Sequence, residues 1–174
     1  MVVVVIVGLV AATIVLSVGT TGRDSELEKE SERAAALLNY AREKSELQTR
    51  EFGLALNDSV YEFLTYDPRK SIWRSVDEDE ALRKRELPVG LKVRLVVEGR
   101  PVILKSAADE EREYRNKDKD KRDKDRLPQI ILFSNGDLTP FELTLERDGT
   151  TRSVTVATND KGQIEAQDLK EVTR

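Results

Sequence analysis

The stretch that decides the fold is MVVVVIVGLVAATIVLSV, residues 1–18, which carries no charged side chain. As one α-helix it is about 27 Å long, close to the hydrocarbon thickness of a bilayer. Its β-branched residues would favour a strand in water, but a single strand in lipid leaves its backbone polar groups unpaired. The run therefore predicts a membrane-spanning helix. A cleaved secretory signal fits poorly, because nothing basic precedes the run.

A second, amphipathic helix is predicted over residues 23–51. The glycines at positions 19 and 22 can loosen the chain, so residues 1–22 are predicted to form a transmembrane helix and a hinge. Asp24 or Ser25 can then cap a new helix start. The positions that recur at helical spacing, and that we expect to pack on the protein's own sheet, are Leu27, Ala34, Leu38, Ala41 and Ser45. An intermolecular coiled-coil seam is the alternative, although the pattern lasts only about three heptads.

The pattern then changes to the alternation of strands. Phe52, Leu54 and Leu56 alternate and lead through a turn to a return strand at residues 60–65. A second hairpin is predicted for residues 91–97 with 101–105, and a third for residues 130–133 with Phe141, Leu143 and Leu145. A further turn at Asp148-Gly149 leads into Val154 and Val156, and a short strand is predicted around Ile164. One helix followed by antiparallel strands predicts an α+β fold, in which a long N-terminal helix packs on antiparallel β-sheets and residues 52–174 form one β-rich domain.

The composition excludes several classes of function. The net charge of −4 comes from 29 basic and 33 acidic residues that are interspersed, so we expect no nucleic-acid partner. The chain has no histidine and no cysteine, which excludes a Ser-His-Asp triad, a Cys-His pair and zinc sites built from those ligands. No glycine-rich phosphate loop is present. We therefore expect neither a cofactor nor a metal.

A highly charged segment separates the second and third predicted hairpins. In residues 109–126 every side chain except Tyr114 and Asn116 is charged. We expect residues 106–127 to form a solvated, flexible loop, because they have almost nothing apolar to bury. A salt-bridged helix is the alternative. Calcium at Asp118, Asp120, Asp123 and Asp125 is disfavoured, because the segment lacks the central glycine and terminal glutamate of an EF-hand loop.

Two other clusters have conventional explanations. The acids at residues 77–80, DEDE, could hydrolyse a glycoside, but acids followed by the bases at residues 83–85 are more typical of an exposed turn. Trp73 could form a sugar-stacking shelf with Tyr61, Phe63 and Tyr66, although packing in the core or at its rim is the expected role.

Several stretches together resemble a known family. They are Phe52-Gly53, Tyr61-Glu62-Phe63-Leu64, the single Trp73, Leu87-Pro88-Val89-Gly90-Leu91 and Phe133-Ser134-Asn135-Gly136-Asp137-Leu138-Thr139-Pro140-Phe141. With an apolar helix that continues into an amphipathic helix and a β-rich domain, they resemble the type IV pilin-like superfamily, and within it the minor pseudopilins H (GspH) of the bacterial type II secretion system. The most specific part is the turn formed by Asn135, Gly136, Thr139, Pro140 and Phe141.

The resemblance implies a single-pass protein of the bacterial inner membrane with its domain in the periplasm. It implies a place near the tip of the pseudopilus, between the tip pseudopilins I, J and K and the major pseudopilin G, where the protein supports export of folded proteins across the outer membrane. It implies a role in assembly and no catalysis. Membrane helices would bundle in the filament interior, where we expect close packing at Val4, Gly8, Ala11, Ala12 and Val15.

Prepilins of this group carry a short basic leader, a glycine-phenylalanine processing site and a glutamate just before the segment that begins here at Met1. Because the chain has none of these, we expect its start to be truncated. Two rival functions share the general architecture. One is a minor pilin of a type IV pilus, and the other is a membrane-tethered periplasmic module that binds a ligand at Trp73.

Overall fold

The structure, a computed structural model, describes residues 2–76, 78–116 and 126–171, with side chains described from Ser25 to Lys170 except those of Tyr114 and Asn116. In these residues the elements are α1 Val2–Gln48, β1 Phe52–Leu56, β2 Val60–Asp67, β3 Ile72–Ser75, β4 Arg85–Glu86, β5 Leu91–Val97, β6 Arg100–Val102, α2 Ala107–Asn116, β7 Ile130–Leu132, β8 Phe141–Arg147, β9 Arg152–Thr158, β10 Ile164–Ala166 and β11 Lys170–Glu171.

The strands form two antiparallel sheets. The first sheet has the order β3-β2-β1-β7, with β4 also pairing with β2. The second has the order β10-β9-β8-β5-β6, with β11 also pairing with β9. Apolar residues of α1 and of both sheets share one hydrophobic core, which includes Leu38, Phe63 and Leu145. The predicted α+β fold, with a long N-terminal helix on antiparallel sheets, is confirmed.

Helix α1 is continuous, and in this the structure differs from the sequence prediction. Its backbone is helical from Val2 to Gln48, so the glycines at positions 19 and 22 do not interrupt it and no second helix starts at Asp24 or Ser25. Glycine in a helix costs only about 1 kcal/mol relative to alanine, which a long helix tolerates. The helix ends where Thr49 adopts a left-handed conformation with φ of 52° and the Arg50 amide donates to the Ser45 carbonyl at 3.1 Å.

Most of the predicted hairpins are confirmed. The strands β1 and β2 pair from Phe52 with Thr65 to Leu56 with Tyr61. The strands β5 and β6 are joined by the expected turn, and β8, β9 and β10 follow one another as antiparallel neighbours. The alternation of apolar residues along these strands places one face of each sheet in the core.

The third predicted hairpin is wrong. The turn after β7 does form, since the Phe133 amide donates to the Asp137 carbonyl at 2.8 Å, but only Leu132 and Leu138 then bridge. Pro140 has no N–H with which to extend the ladder. The chain crosses instead to the second sheet, where β8 pairs with β5 and β9 while β7 pairs with β1 in the first sheet.

The prediction of a loop over residues 106–127 is wrong for residues 107–116, which form α2, and residues 117–125 lie outside the described residues. The Asp109 amide donates to Ser106 Oγ at 3.1 Å, which is a helix N-cap. The side chain of Glu110 accepts from Asn57 Nδ2 at 2.5 Å and attaches the helix to the first sheet. The proposed calcium residues Asp118, Asp120, Asp123 and Asp125 lie outside the described residues.

Side-chain amides cover two sheet edges. Beyond the end of β7, Gln129 Oε1 accepts from the Leu56 amide at 2.8 Å and Gln129 Nε2 donates to the Leu56 carbonyl at 3.3 Å. On β10, Asn39 Nδ2 donates to the Ile164 carbonyl at 2.6 Å and Asn39 Oδ1 accepts from the Ile164 amide at 3.2 Å. Each amide thereby takes the place that a neighbouring strand would occupy.

Candidate assembly interface

The C-terminal half of α1 lies on the sheets through its apolar stripe. Leu27, Leu38 and Ala41 are fully buried, as is Ser45, and Ala34 is nearly so. The opposite face of the helix is exposed, including Ala36 and Leu47. The stripe therefore serves attachment of the helix to its own domain, and the exposed face is left for other molecules.

Arg42 connects the end of α1 to both sheets. Its Nε donates to the Gly136 carbonyl at 2.7 Å, in the turn that follows β7 of the first sheet. Its Nη1 donates to the Gly162 carbonyl, in the turn between β9 and β10 of the second sheet. Ser45 Oγ donates to the Phe133 carbonyl at 3.0 Å, one helical turn further on. The helix is thus held to two turns that belong to different sheets.

The turn identified in the sequence packs directly against α1. Gly136 is buried with φ of 87°, and a Cβ atom there would lie 2.7 Å from Glu46 Oε1, so both backbone conformation and space favour glycine. Asn135 Oδ1 accepts from the Asp137 amide at 3.0 Å, which closes the turn. Asn135 and Gly136 therefore form one unit with the helix end.

The other three residues of the motif lie elsewhere. Thr139 Oγ1 accepts from the Ile131 amide at 3.2 Å within the first sheet. The Pro140 carbonyl accepts from the Glu98 amide at 2.9 Å, and Phe141 is buried in the core at the start of β8. The motif thus marks the crossing from one sheet to the other.

The N-terminal end of the domain is tied to α1 by charge. Arg147 Nη2 donates to Glu26 Oε2 at 2.6 Å.

The side chains of Val4, Gly8, Ala11, Ala12 and Val15, where we expect close packing, lie outside the described residues, so that assignment stays a prediction. Among the residues whose side chains the structure describes, no helix is long and apolar enough to cross a membrane.

A buried polar pair joins the middle of α1 to the first sheet. The Tyr61 hydroxyl donates to Glu30 Oε1 at 2.9 Å, and Arg33 Nη1 lies 2.8 Å from Glu30 Oε2. Burial, followed by the nearby charge of Glu30, raises the pKa of Tyr61 far above its usual range. Both Tyr61 and Glu30 are nearly inaccessible to solvent, so the pair fixes how the helix sits on β2.

The acidic run serves as an anchor for a loop. Asp79 Oδ2 accepts from Lys44 Nζ at 2.5 Å and from the Tyr40 hydroxyl at 2.8 Å, which ties the loop between β3 and β4 to α1. The hydrogen bond from Lys44 holds the pKa of Asp79 below its usual value. Glu78 is exposed, and Asp77 lies outside the described residues. The contacts of Asp79 are those of a structural carboxylate.

The aromatic residues do not assemble into one shelf. Tyr66 and Trp73 pair across β2 and β3, with ring centroids 5.3 Å apart. Tyr61 and Phe63 lie on the opposite face of the first sheet and meet edge to face in the core, 6.4 Å apart. Within the described residues, no group of three or more acidic, histidine or cysteine side chains could hold a metal ion.

A groove of about 670 Å³ lies beside α2, on the outer face of the first sheet. Its lining includes Arg126, which donates through Nη2 to Glu62 Oε2 and through Nη1 to Ser75 Oγ at 2.9 Å. Burial lowers the pKa of the Arg126 guanidinium. Acidic and basic side chains both line the groove, and the charges of Arg126 and Glu62 neutralise each other. The groove therefore has no excess of one charge that would select a ligand of the opposite charge.

Comparison with known proteins identifies the family. The family model described as type II transport protein GspH matches residues 30–162. The chain belongs to the GspH family. It is 32% identical over 149 residues to type II secretion system protein H of Pseudomonas aeruginosa, covering 86% of this chain and 80% of that protein. It is also 32% identical over 161 residues to the protein of the same name from Aeromonas hydrophila, covering 91% and 84% respectively.

Two solved structures share this fold. A crystal structure of the minor pseudopilin EpsH of Vibrio cholerae matches with a TM-score of 0.64 at 18% identity, covering 86% of this chain and 98% of that chain. The solution structure of Escherichia coli GspH matches with a TM-score of 0.51 at 17% identity, covering 85% and 91%. The resemblance predicted from the sequence is confirmed, and the chain is a pseudopilin of the type II secretion system. Family membership points to a membrane-associated periplasmic protein.

The polar contacts that hold α1 to the GspH domain could not be predicted from the sequence. Arg42, Asn39 and Asp79 all bind groups that are distant in the chain, and no pattern in the sequence shows where those groups lie. The helix α2 did have a signal, because Ser106 and Asp109 stand at the spacing of an N-cap.

Proposed function

We propose that the chain is a minor pseudopilin located near the tip of the periplasmic pseudopilus, between the tip pseudopilins I, J and K and the major pseudopilin G. There it supports export of folded proteins across the outer membrane by packing against its neighbours. It performs no chemistry of its own. Its partners are other pseudopilins and the membrane.

The observation that carries this proposal is the continuity of α1. The helix runs without interruption from the uncharged residues at its start to Gln48. Its end is bound through Arg42 to a turn of each sheet, and its middle through Glu30 to Tyr61. A displacement of the helix therefore moves the whole domain, as the proposed role in a filament requires.

We propose further that residues 1–18 anchor the protein in the inner membrane before assembly, with the domain in the periplasm. The uncharged run is about 27 Å long as a helix, which suits a single crossing. Its small residues Gly8, Ala11 and Ala12 allow close approach of neighbouring helices, both in the membrane and in the filament interior.

Placing a charge in this run tests the proposal. Ala12→Asp should cost about 2.5–3.5 kcal/mol on insertion scales and should abolish filament entry and secretion. Ala36→Asp is the matched control, because Ala36 lies on the exposed face of the same helix. The measurements are secretion of an exoprotein and co-purification with the tip pseudopilins. Normal secretion by the Ala12→Asp variant would overturn the proposal.

The variant Glu78→Gln tests whether the protein lacks catalytic activity. Glu78 is an exposed member of the acidic run and has no role in assembly in our proposal, so the variant should secrete normally. If secretion were abolished while folding and co-purification stayed normal, a purely structural role would be contradicted.

A further inference from the structure

We propose that the turns at residues 87–90 and 149–151 rest on the lipid headgroups of the membrane from which α1 emerges, with Val89 as the apolar contact. The inference rests on the membrane anchoring proposed above. It assigns a lipid-facing surface to the globular domain itself, in addition to the apolar run.

The composition of these two turns differs from that of the rest of the chain. Val89 is 97% exposed, and residues 149–151 are exposed as well. The turn LPVG has no charged side chain and the turn between β8 and β9, DGTT, has only Asp148, although 36% of the whole chain is charged. The turns at the other end of the domain carry charges at Glu98, Asp160 and Lys161. The uncharged turn around Val89 lies at the end of the domain near Glu26, beside the turn between β1 and β2, where the Leu87 amide donates to the Ser59 carbonyl at 2.8 Å.

Hydrogen bonds and strand pairing place both turns at the level where α1 enters the domain. Leu91, the first residue of β5, pairs with Arg147, the last residue of β8. Arg147 Nη2 in turn donates to Glu26 Oε2 on α1 at 2.6 Å. The Asp148 amide donates to the Gly90 carbonyl at 2.8 Å, so the two turns lie side by side.

The strands run along the helix, so the turns project toward its N-terminus. The side chain of Asn39 contacts the backbone of Ile164 on β10. The next residue, Glu165, pairs with Ala157 on β9, and Ala157 pairs with Glu142 on β8. From there, β8 extends five residues to Arg147, about 17 Å. On α1, the thirteen residues back from Asn39 to Glu26 span about 20 Å. The similar lengths show that the helix and the strands run in the same general direction, although α1 crosses from β10 at Asn39 to β8 at Glu26.

These lengths bring Val89 close to the headgroup layer. From Glu26 back to Val18, the last residue of the uncharged run, eight helical residues rise about 12 Å. Val89 lies in a tight turn, in which the Leu91 amide donates to the Pro88 carbonyl at 3.0 Å, so Val89 projects less than about 7 Å beyond Leu91. It therefore lies about 5–12 Å from the level of Val18. The headgroup layer is about 5–7 Å thick, and an ordinary helix tilt of about 20° brings one side of the domain closer.

Single-cysteine labelling of the full chain tests this contact, because the chain has no cysteine of its own. The variants Val89→Cys, Lys161→Cys and Val15→Cys would each carry an environment-sensitive fluorophore in vesicles of phosphatidylethanolamine and phosphatidylglycerol. Nitroxide quenchers on the headgroups or on the acyl chains would report the depth of each label. Lys161 is the matched control, because it adjoins Gly162 at the far end, where Arg42 binds.

We expect headgroup nitroxides to reduce the fluorescence at position 89 and to leave that at position 161 almost unchanged. Equal quenching at positions 89 and 161, with position 15 quenched by acyl-chain nitroxides, would overturn the inference while anchoring stood. A label at position 15 that escapes acyl-chain quenching would overturn anchoring and the inference together. A label at position 89 that is shielded only when other pseudopilins are added would show a protein neighbour there and would likewise overturn a lipid contact.

Discussion

Replacing Arg42 with methionine should weaken the attachment of α1 to the domain. Methionine keeps an apolar stem of similar length but loses the two hydrogen bonds to the Gly136 and Gly162 carbonyls. A hydrogen bond from a charged donor contributes about 1.5–3 kcal/mol, and the Arg42 side chain is 28% exposed, so water compensates in part. The lower figure for each bond gives a loss of about 3 kcal/mol.

For a chain of this size, a loss of about 3 kcal/mol corresponds to a fall in Tm of about 6–12 °C. The assay is thermal unfolding of the full chain in detergent, followed by circular dichroism. Arg42→Lys should be intermediate, because an ammonium group keeps the charge but lacks the fork of the guanidinium. Hydrogen exchange should quicken in both turns, at residues 133–138 and 159–163.

The matched control is Arg83→Met. Arg83 is an exposed arginine that lies 3.5 Å from the exposed Glu80, and such a pair contributes about 0–1 kcal/mol. If Arg42→Met and Arg83→Met changed the Tm equally, or if exchange quickened in only one of the two turns, the connection of both sheets through Arg42 would be refuted.

Three further predictions concern other contacts of the domain. Gly53→Ala should destabilise the domain by about 1–3 kcal/mol in urea unfolding, because the new Cβ would lie 2.5 Å from the ring of Pro128; an unchanged midpoint would contradict this packing. Tyr61 should keep its proton when exposed tyrosines ionise. Because unfolded tyrosine has a pKa of about 10, the stability of the fold should decrease as the pH rises above that value. An ultraviolet titration in which all four tyrosines ionise together before unfolding would disprove this. The lowered pKa of Asp79 means that its contribution to stability is present above about pH 4 and is lost as the pH falls further. Asp79→Asn should therefore reduce the acid dependence of Tm, and an unchanged acid dependence would contradict the role of Asp79.

The parts of the fold that could be predicted from the sequence are those fixed by local periodicity. The alternation in β1 and β2 and the helical stripe around Leu38 depend only on neighbouring residues. The pairing of β8 could not be predicted in this way, because the turn at Gly136 is a genuine hairpin turn and the chain leaves it only at Pro140. The contacts of Arg42 were equally hidden, since both of its acceptors are backbone carbonyls, which every residue has.

The amides that cover two sheet edges have a consequence for the protein before it joins a filament. An open strand edge is a template on which another chain can add a strand, and this is a route to disordered aggregates. Gln129 satisfies the backbone of Leu56, and Asn39 satisfies that of Ile164, so neither position offers free donors and acceptors. At these positions, free subunits at high local concentration cannot associate by strand addition. The filament therefore grows through other contacts, which can be made and broken in an ordered sequence.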